Sequence, residues 1–179
     1  MLRMLDPAPP DALRQLAERL SFRSLVLVVC FVRRPSVTRA ATVYFPERRV
    51  PFTRLYEPKN RHPDMAPADQ SSLCVEVPCR RGDATWSAPD AELARDVDAE
   101  LVRFGWLKPA EIFDHAVLRM ANAYPVLERG IEALLLPIFR FFERFENLTL
   151  SGRNGRFAYS HVHDQLRSAK DLVRRLDTA

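Results

Sequence analysis

Apolar positions recur along this chain in two periods, and the alternation between them marks out helices and strands. Asp11 follows a proline cluster, and Leu13, Leu16, Ala17 and Leu20 then share one helical face. Residues 22–32 are β-branched and aromatic, with an unbroken apolar run from Leu25, which predicts a strand covered on both faces and closed by Arg33-Arg34-Pro35. Two further strands are expected at 41–45 and 50–55, joined by the polar turn 46–49. Residues 57–72 hold three prolines and many polar side chains and read as a loop. A strand follows at 73–77. Pro89 then opens a helix whose early turns carry Glu92, Asp96 and Asp98, whose inner face is Leu93, Val97, Leu101 and Phe104, and which Gly105 stops.

The second half continues in the same manner. A strand is expected at 112–120. A helix follows at 128–145, with Ile131, Leu134, Leu135, Ile138, Phe142 and Phe145 at helical spacing and a kink at Pro137. A short strand at 148–150 leads through a glycine turn at 152–155 to a last helix at 159–176, with Val162, Leu166, Ala169, Val173 and Leu176 on one side. The order predicts an α+β fold, an antiparallel or mixed sheet with helices packed on it.

Composition narrows the function classes. Apolar residues make up 47% and charged residues 28%, so an ordered globular chain is expected rather than a disordered one. The net charge of +4 comes from arginines spread along the chain, not from a patch within a recognisable module, so no nucleic-acid partner is expected. The three cysteines, Cys30, Cys74 and Cys79, form no CxxC pair, which argues against a disulfide framework or a zinc site and for free thiols in a reducing cytoplasm. The opening MLRML is too short for a signal peptide, and the apolar run at 25–32 falls well short of the roughly 20 residues a spanning helix needs. The chain is expected to be soluble and cytoplasmic, with no transmembrane segment. Its five glycines cannot be arranged into GxGxxG.

The most informative segment is LTLSGRNGRFAYSHVHD at 148–164. Glycines allow a close backbone approach, a following helix offers free N–H groups, and Arg153 and Arg156 flank the turn, so the segment is a candidate anion or phosphate site. A plain connection between elements is the competing reading. The segment resembles the C-terminal flavin-contacting motif of the FAD-dependent amine-oxidase superfamily, which includes protoporphyrinogen oxidases, phytoene desaturases and UDP-galactopyranose mutases. The blocks PFTRLYEPK at 51–59, LCVEVP at 73–78, NAYPV at 122–126 and DPAPPD at 6–11 also resemble that family, within its substrate domain.

The resemblance implies that residues 1–145 are substrate-domain-like and 146–179 an FAD-contacting strand-turn-helix. It places Gly152, Arg153, Asn154, Gly155, Phe157 and Tyr159 against the cofactor. It puts Arg54 and Tyr124 on the side of a small-molecule substrate. Arg54 otherwise pairs with Glu57 or Glu76 on a strand surface, and Tyr124 otherwise covers the core. Glu76 is either a perturbed acid or base or a residue facing water. The family's Rossmann half, with its GxGxxG turn, is missing from this chain, which departs from the family also at HVHD (161–164). The chain then reads as a truncated frame, a subunit completed by a separate Rossmann-domain protein, or a fragment of a longer enzyme.

One helix terminus contributes roughly 0.3–2 kcal/mol toward an anion, far below the roughly 8 kcal/mol of micromolar binding. FAD binding is therefore expected only with a complementing Rossmann domain, and the isolated chain is expected to be inactive. Three functions follow: part of an FAD-dependent oxidoreductase, a mutase-like flavin isomerase, or a non-catalytic remnant. No residue is assigned a catalytic role and no metal is expected. His161 and His163, two apart on a helix, should diverge, and His62 and His115 stand alone. The phenylalanine-rich helix at 128–145 is read as meeting a missing domain.

Overall fold

The computed structural model of the protein describes residues 2–176. The elements are α1 (Asp11–Glu18), β1 (Phe22–Val32), β2 (Val43–Tyr44), β3 (Arg54–Tyr56), β4 (Ser71–Cys79), α2 (Ala84–Ser87), α3 (Asp90–Arg103), β5 (Ile112–Pro125), α4 (Glu132–Phe142), α5 (Gly152–Gly155) and α6 (Val162–Leu176). They form two compact units: residues 23–123, and the residues up to 22 together with those from 124 onward. No helix among the described residues is long and apolar enough to cross a membrane.

The 23–123 unit is a five-stranded sheet in the order β2-β3-β4-β1-β5, and the β1–β4, β4–β3 and β3–β2 pairings are antiparallel. The α+β class expected from the pattern is the class observed. Along β1 every second residue from Ser24 to Val32 is buried, as a pleated strand requires when one face meets a core. The opposite face is half-covered at Leu27, Val29 and Phe31 rather than fully enclosed. Val26, Val28 and Cys30 pack with Val75 and Val77 of β4 and with Leu93, Val97 and Leu101 of α3.

α3 follows its predicted course. Gly105 stands past its end with φ 74°, its N–H donating to Val102 O while Trp106 N–H donates to Leu101 O, the paired bonds of a glycine C-terminal motif. β2 and β3 are shorter than the expected 41–45 and 50–55. Val50 and Phe52 reach the core from irregular backbone instead. β4 and β5 are longer than expected, because β1 offers eleven residues of ladder to its neighbours. The 57–72 loop contains the 3₁₀ turns Pro58–Asn60 and Pro63–Met65 and is fastened by Lys59 Nζ, which donates to the carbonyls of Pro67, Ala68 and Gln70 at 2.7, 3.0 and 2.8 Å.

α2 is an added helical turn, capped by Asp83, whose carboxylate accepts from Trp86 N (2.8 Å) and Arg80 N (2.7 Å). These backbone donors hold the Asp83 carboxyl below its ordinary value of 3.8. A depressed folded-state value means the cap stabilises at neutral pH and its contribution is lost as pH falls through that value. Asp83→Ala is expected to cost about 1 kcal/mol at pH 7. Urea unfolding of both proteins should show the difference shrinking as pH drops below 3.8.

In the other unit α1 packs against α4, and Ile131, Leu135 and Phe157 form a core with Leu20, Phe22, Leu134 and Phe139. α4 is shorter than the expected 128–145. Gly130, at φ 80°, breaks the helix before it starts, and Pro137 is accommodated within it. Residues 148–150 form no strand, since no sheet edge pairs with them. The glycine turn is a single helical turn, α5, and α6 starts at Val162 rather than 159.

Candidate functional site

The residues expected to touch a ligand gather around Arg153 of α5. Its guanidinium carbon lies 4.2 Å from the centroid of the Tyr159 ring and 4.7 Å from that of Tyr124, and the two rings are themselves stacked at 5.9 Å with 23° between their planes. Two aromatic faces thus hold one cation, an attraction worth about 0.5–1 kcal/mol at a site as open as that of Tyr159, which is 62% exposed. Nε and Nη2 of Arg153 are buried and lack a hydrogen-bond partner among the described residues. Buried donors of a charged group are costly when unmet. The pair is therefore suited to an oxygen-rich acceptor brought from outside this chain.

The backbone of the turn is satisfied locally. Arg156 N donates to Gly152 O at 3.0 Å and Ala158 N to Arg153 O at 3.0 Å. Gly152 needs its glycine for φ 78°. Gly155 does not: its φ is ordinary and nothing of this chain lies within 4 Å of where a Cβ would sit, so the open space there faces no neighbour of its own. Asn154 is exposed. Phe157 is 4% exposed, at φ 48°, and meets the Phe22 ring edge-to-face at 5.1 Å. It anchors the turn to the core. Tyr159 also borders an open cleft with Arg129, Gly130, Arg156 and Phe157.

At the helix terminus read as a candidate anion site, a carboxylate of the chain itself lies close by. Asp164 reaches back to accept from His161 N at 3.0 Å, and that bond holds its carboxyl below the usual carboxylate range. The signal was present in the sequence as an acid three residues past the cap position. His161 and His163 do not diverge. His161 precedes the helix, and the two rings stack at 5.6 Å with 10° between planes.

Arg54 belongs to the sheet unit. It faces Glu76 across the β3–β4 ladder and forms an ion pair with it. Glu76 is buried in that pair, not turned to water. Glu57 is engaged elsewhere: its carboxylate accepts from Val37 N, Thr38 N and Ser71 Oγ.

No family model and no curated protein matches this chain. Solved structures do. The whole chain superposes on a reduced UDP-galactopyranose mutase with a TM-score of 0.76 and 20% identity, covering 37% of that chain. Ninety per cent of it superposes on a putative protoporphyrinogen oxidase from Exiguobacterium sp. 255-15 with a TM-score of 0.66 and 16% identity, covering 36% of that chain. The chain thus spans little more than a third of either, and at these identities the likeness is one of fold. The architecture of the chain is similar to part of a UDP-galactopyranose mutase and to part of a protoporphyrinogen oxidase.

Proposed function

We propose that this chain is the C-terminal part or a subunit of a cytoplasmic FAD-dependent oxidoreductase of the protoporphyrinogen-oxidase-like kind, and that it forms one wall of a flavin site completed by a separate Rossmann domain. In this reading residues 146–179 contact the cofactor and residues 1–145 serve the substrate side. The observation that carries it is α6. This helix directly follows the Arg153 turn and buries no residue, and Val162, Leu166, Val173 and Leu176 are 77%, 67%, 55% and 62% exposed along one stripe with Ala169. An amphipathic helix is stable when such a stripe is covered, so a further protein surface is expected against it.

The residues present fit the cofactor. FAD, when bound, supplies the hydride chemistry, and the protein supplies position and charge. Arg153 would donate from Nε and Nη2 to a cofactor oxygen, its plane held by Tyr124 and Tyr159. Gly155 would admit the cofactor where a side chain would stand, with Gly152 and Asn154 completing the turn and Phe157 fixing it. Arg54, steadied by Glu76, and Tyr124 are the substrate-side residues. A mutase-like isomerase acting on a nucleotide sugar is the second reading, favoured by the fuller superposition on the mutase. A need for reductant without net substrate oxidation would distinguish it.

The test is the visible absorption spectrum of the chain purified alone and after co-expression with the protein encoded immediately upstream. Flavin bands are expected only in the co-expressed sample. Arg153→Ala in that complex should weaken flavin retention about 10- to 100-fold, the equivalent of losing charged hydrogen bonds worth about 1.5–3 kcal/mol. Flavin in neither sample would leave a non-catalytic remnant. Stoichiometric flavin on the isolated chain would remove the need for a partner.

A further inference from the structure

Three chemistry-bearing side chains meet at the helix-covered face of the sheet, far from one another in sequence. Cys30 comes from β1, Asp98 from α3 and His115 from β5. Cys30 Sγ donates to Asp98 Oδ1 at 3.5 Å, and His115 Nε2 lies 3.0 Å from the same oxygen. One ligand atom from each residue lies within 4.8 Å of the other two. We propose that Cys30, Asp98 and His115 form a divalent transition-metal site, suited to Zn²⁺, with three protein ligands and an open fourth position.

Two of the three ligand separations are close to those around such an ion, and the third lies within 4.8 Å. Bonds of about 2.3 Å to sulfur and 2.0–2.2 Å to nitrogen and oxygen, set at tetrahedral angles, place ligand atoms roughly 3.3–3.7 Å apart. The sulfur–oxygen separation of 3.5 Å already has that value, and the nitrogen–oxygen separation of 3.0 Å would open by about 0.3 Å to admit the ion. A mixed sulfur, nitrogen and oxygen set is the donor chemistry that zinc accepts, whereas calcium and magnesium want oxygen alone. The path to the site is also suitable. Cys30 is fully buried, while the side chains of His115 and Asp98 are 27% and 24% exposed, so an ion enters from the His115 edge and leaves one coordination position toward solvent.

The elements are built to hold these ligands still. Cys30 lies between Val28 and Val32 on the buried face of β1. Asp98 follows Val97, which is buried in the same core. On binding, the Cys30 S–H bond breaks, its proton passes to solvent and a metal–sulfur bond forms, with no change of oxidation state. The site lies wholly within the 23–123 unit and does not depend on the flavin reading.

The test is titration of the reduced, chelator-treated chain with Co²⁺, followed by near-ultraviolet absorption for a thiolate-to-cobalt charge-transfer band. One equivalent is expected to bind, and Zn²⁺ should displace it. Cys30→Ala should abolish the band, and His115→Gln should weaken binding at least tenfold, the order expected when a metal contact is lost. Cys74→Ala and Cys79→Ala should leave it unchanged. His115 is half-buried, so its variant decides the matter even if Cys30→Ala fails to fold. No band in the wild-type chain, or a band of full strength and affinity in His115→Gln, would overturn the proposal.

Discussion

Replacing Glu57 with alanine is expected to destabilise the protein by about 3 kcal/mol, a large share of the 5–15 kcal/mol typical of a domain. Glu57 is fully buried, and its carboxylate meets Val37 N at 3.0 and 3.1 Å, Thr38 N at 2.8 Å and Ser71 Oγ at 2.5 Å. The group thereby ties the loop after β1 to the start of β4. Alanine would remove one buried methylene, about 0.8 kcal/mol, along with the carboxylate, and orphan the buried Ser71 hydroxyl at about 1–3 kcal/mol. The amides of Val37 and Thr38 are half-buried and can regain water, which keeps the total from rising further. Glu57→Gln retains one acceptor oxygen but turns an amide N–H₂ toward a donor, so it should cost roughly half as much. Urea unfolding midpoints at constant slope report both values. An alanine variant within 0.5 kcal/mol of wild type would mean that this network adds nothing to stability.

Phe157→Ala is expected to cost about 3–5 kcal/mol, as truncation of a buried aromatic does. The ring packs on Phe22 and lies in one core with Ile131 and Leu135, directly after the Arg153 turn. Its backbone sits at φ 48°, which a side chain tolerates only when packing compensates. Phe157→Gly should therefore destabilise no more than Phe157→Ala, since glycine adopts that conformation without the roughly 1–2 kcal/mol penalty. A glycine variant clearly less stable than the alanine one would show that the left-handed backbone stores no strain. In the co-expressed complex both variants should also lose flavin, because the turn presenting Arg153 loses its anchor. A variant that unfolds at lower urea yet holds flavin as tightly as wild type would separate anchoring from binding.

How much of this was readable in advance depends on the distance over which each feature is decided. β1 occupies the residues its apolar run predicts, and α3 ends where Gly105 demands, because both are settled by neighbours a few positions away. A strand at 148–150 had the right composition and no partner, so it did not form. Of the candidate site, Arg153, Tyr124 and Tyr159 each stand out in the sequence within family-like blocks. That they close into one cation–aromatic cluster is a fact of packing. Arg54 had two carboxylates within reach of any guess, and the β3–β4 register chose Glu76.

By itself the sequence determined the α+β alternation, the helix stops at glycine, the amphipathic stripe of α6 and the turn that carries Arg153, since propensity and periodicity act along the chain. Tertiary structure alone decided that Glu57 would be a buried acceptor and that Cys30, Asp98 and His115 would converge. Those outcomes rest on groups brought together across tens of residues, where burial and hydrogen-bond satisfaction, not local preference, set which partner each polar atom keeps.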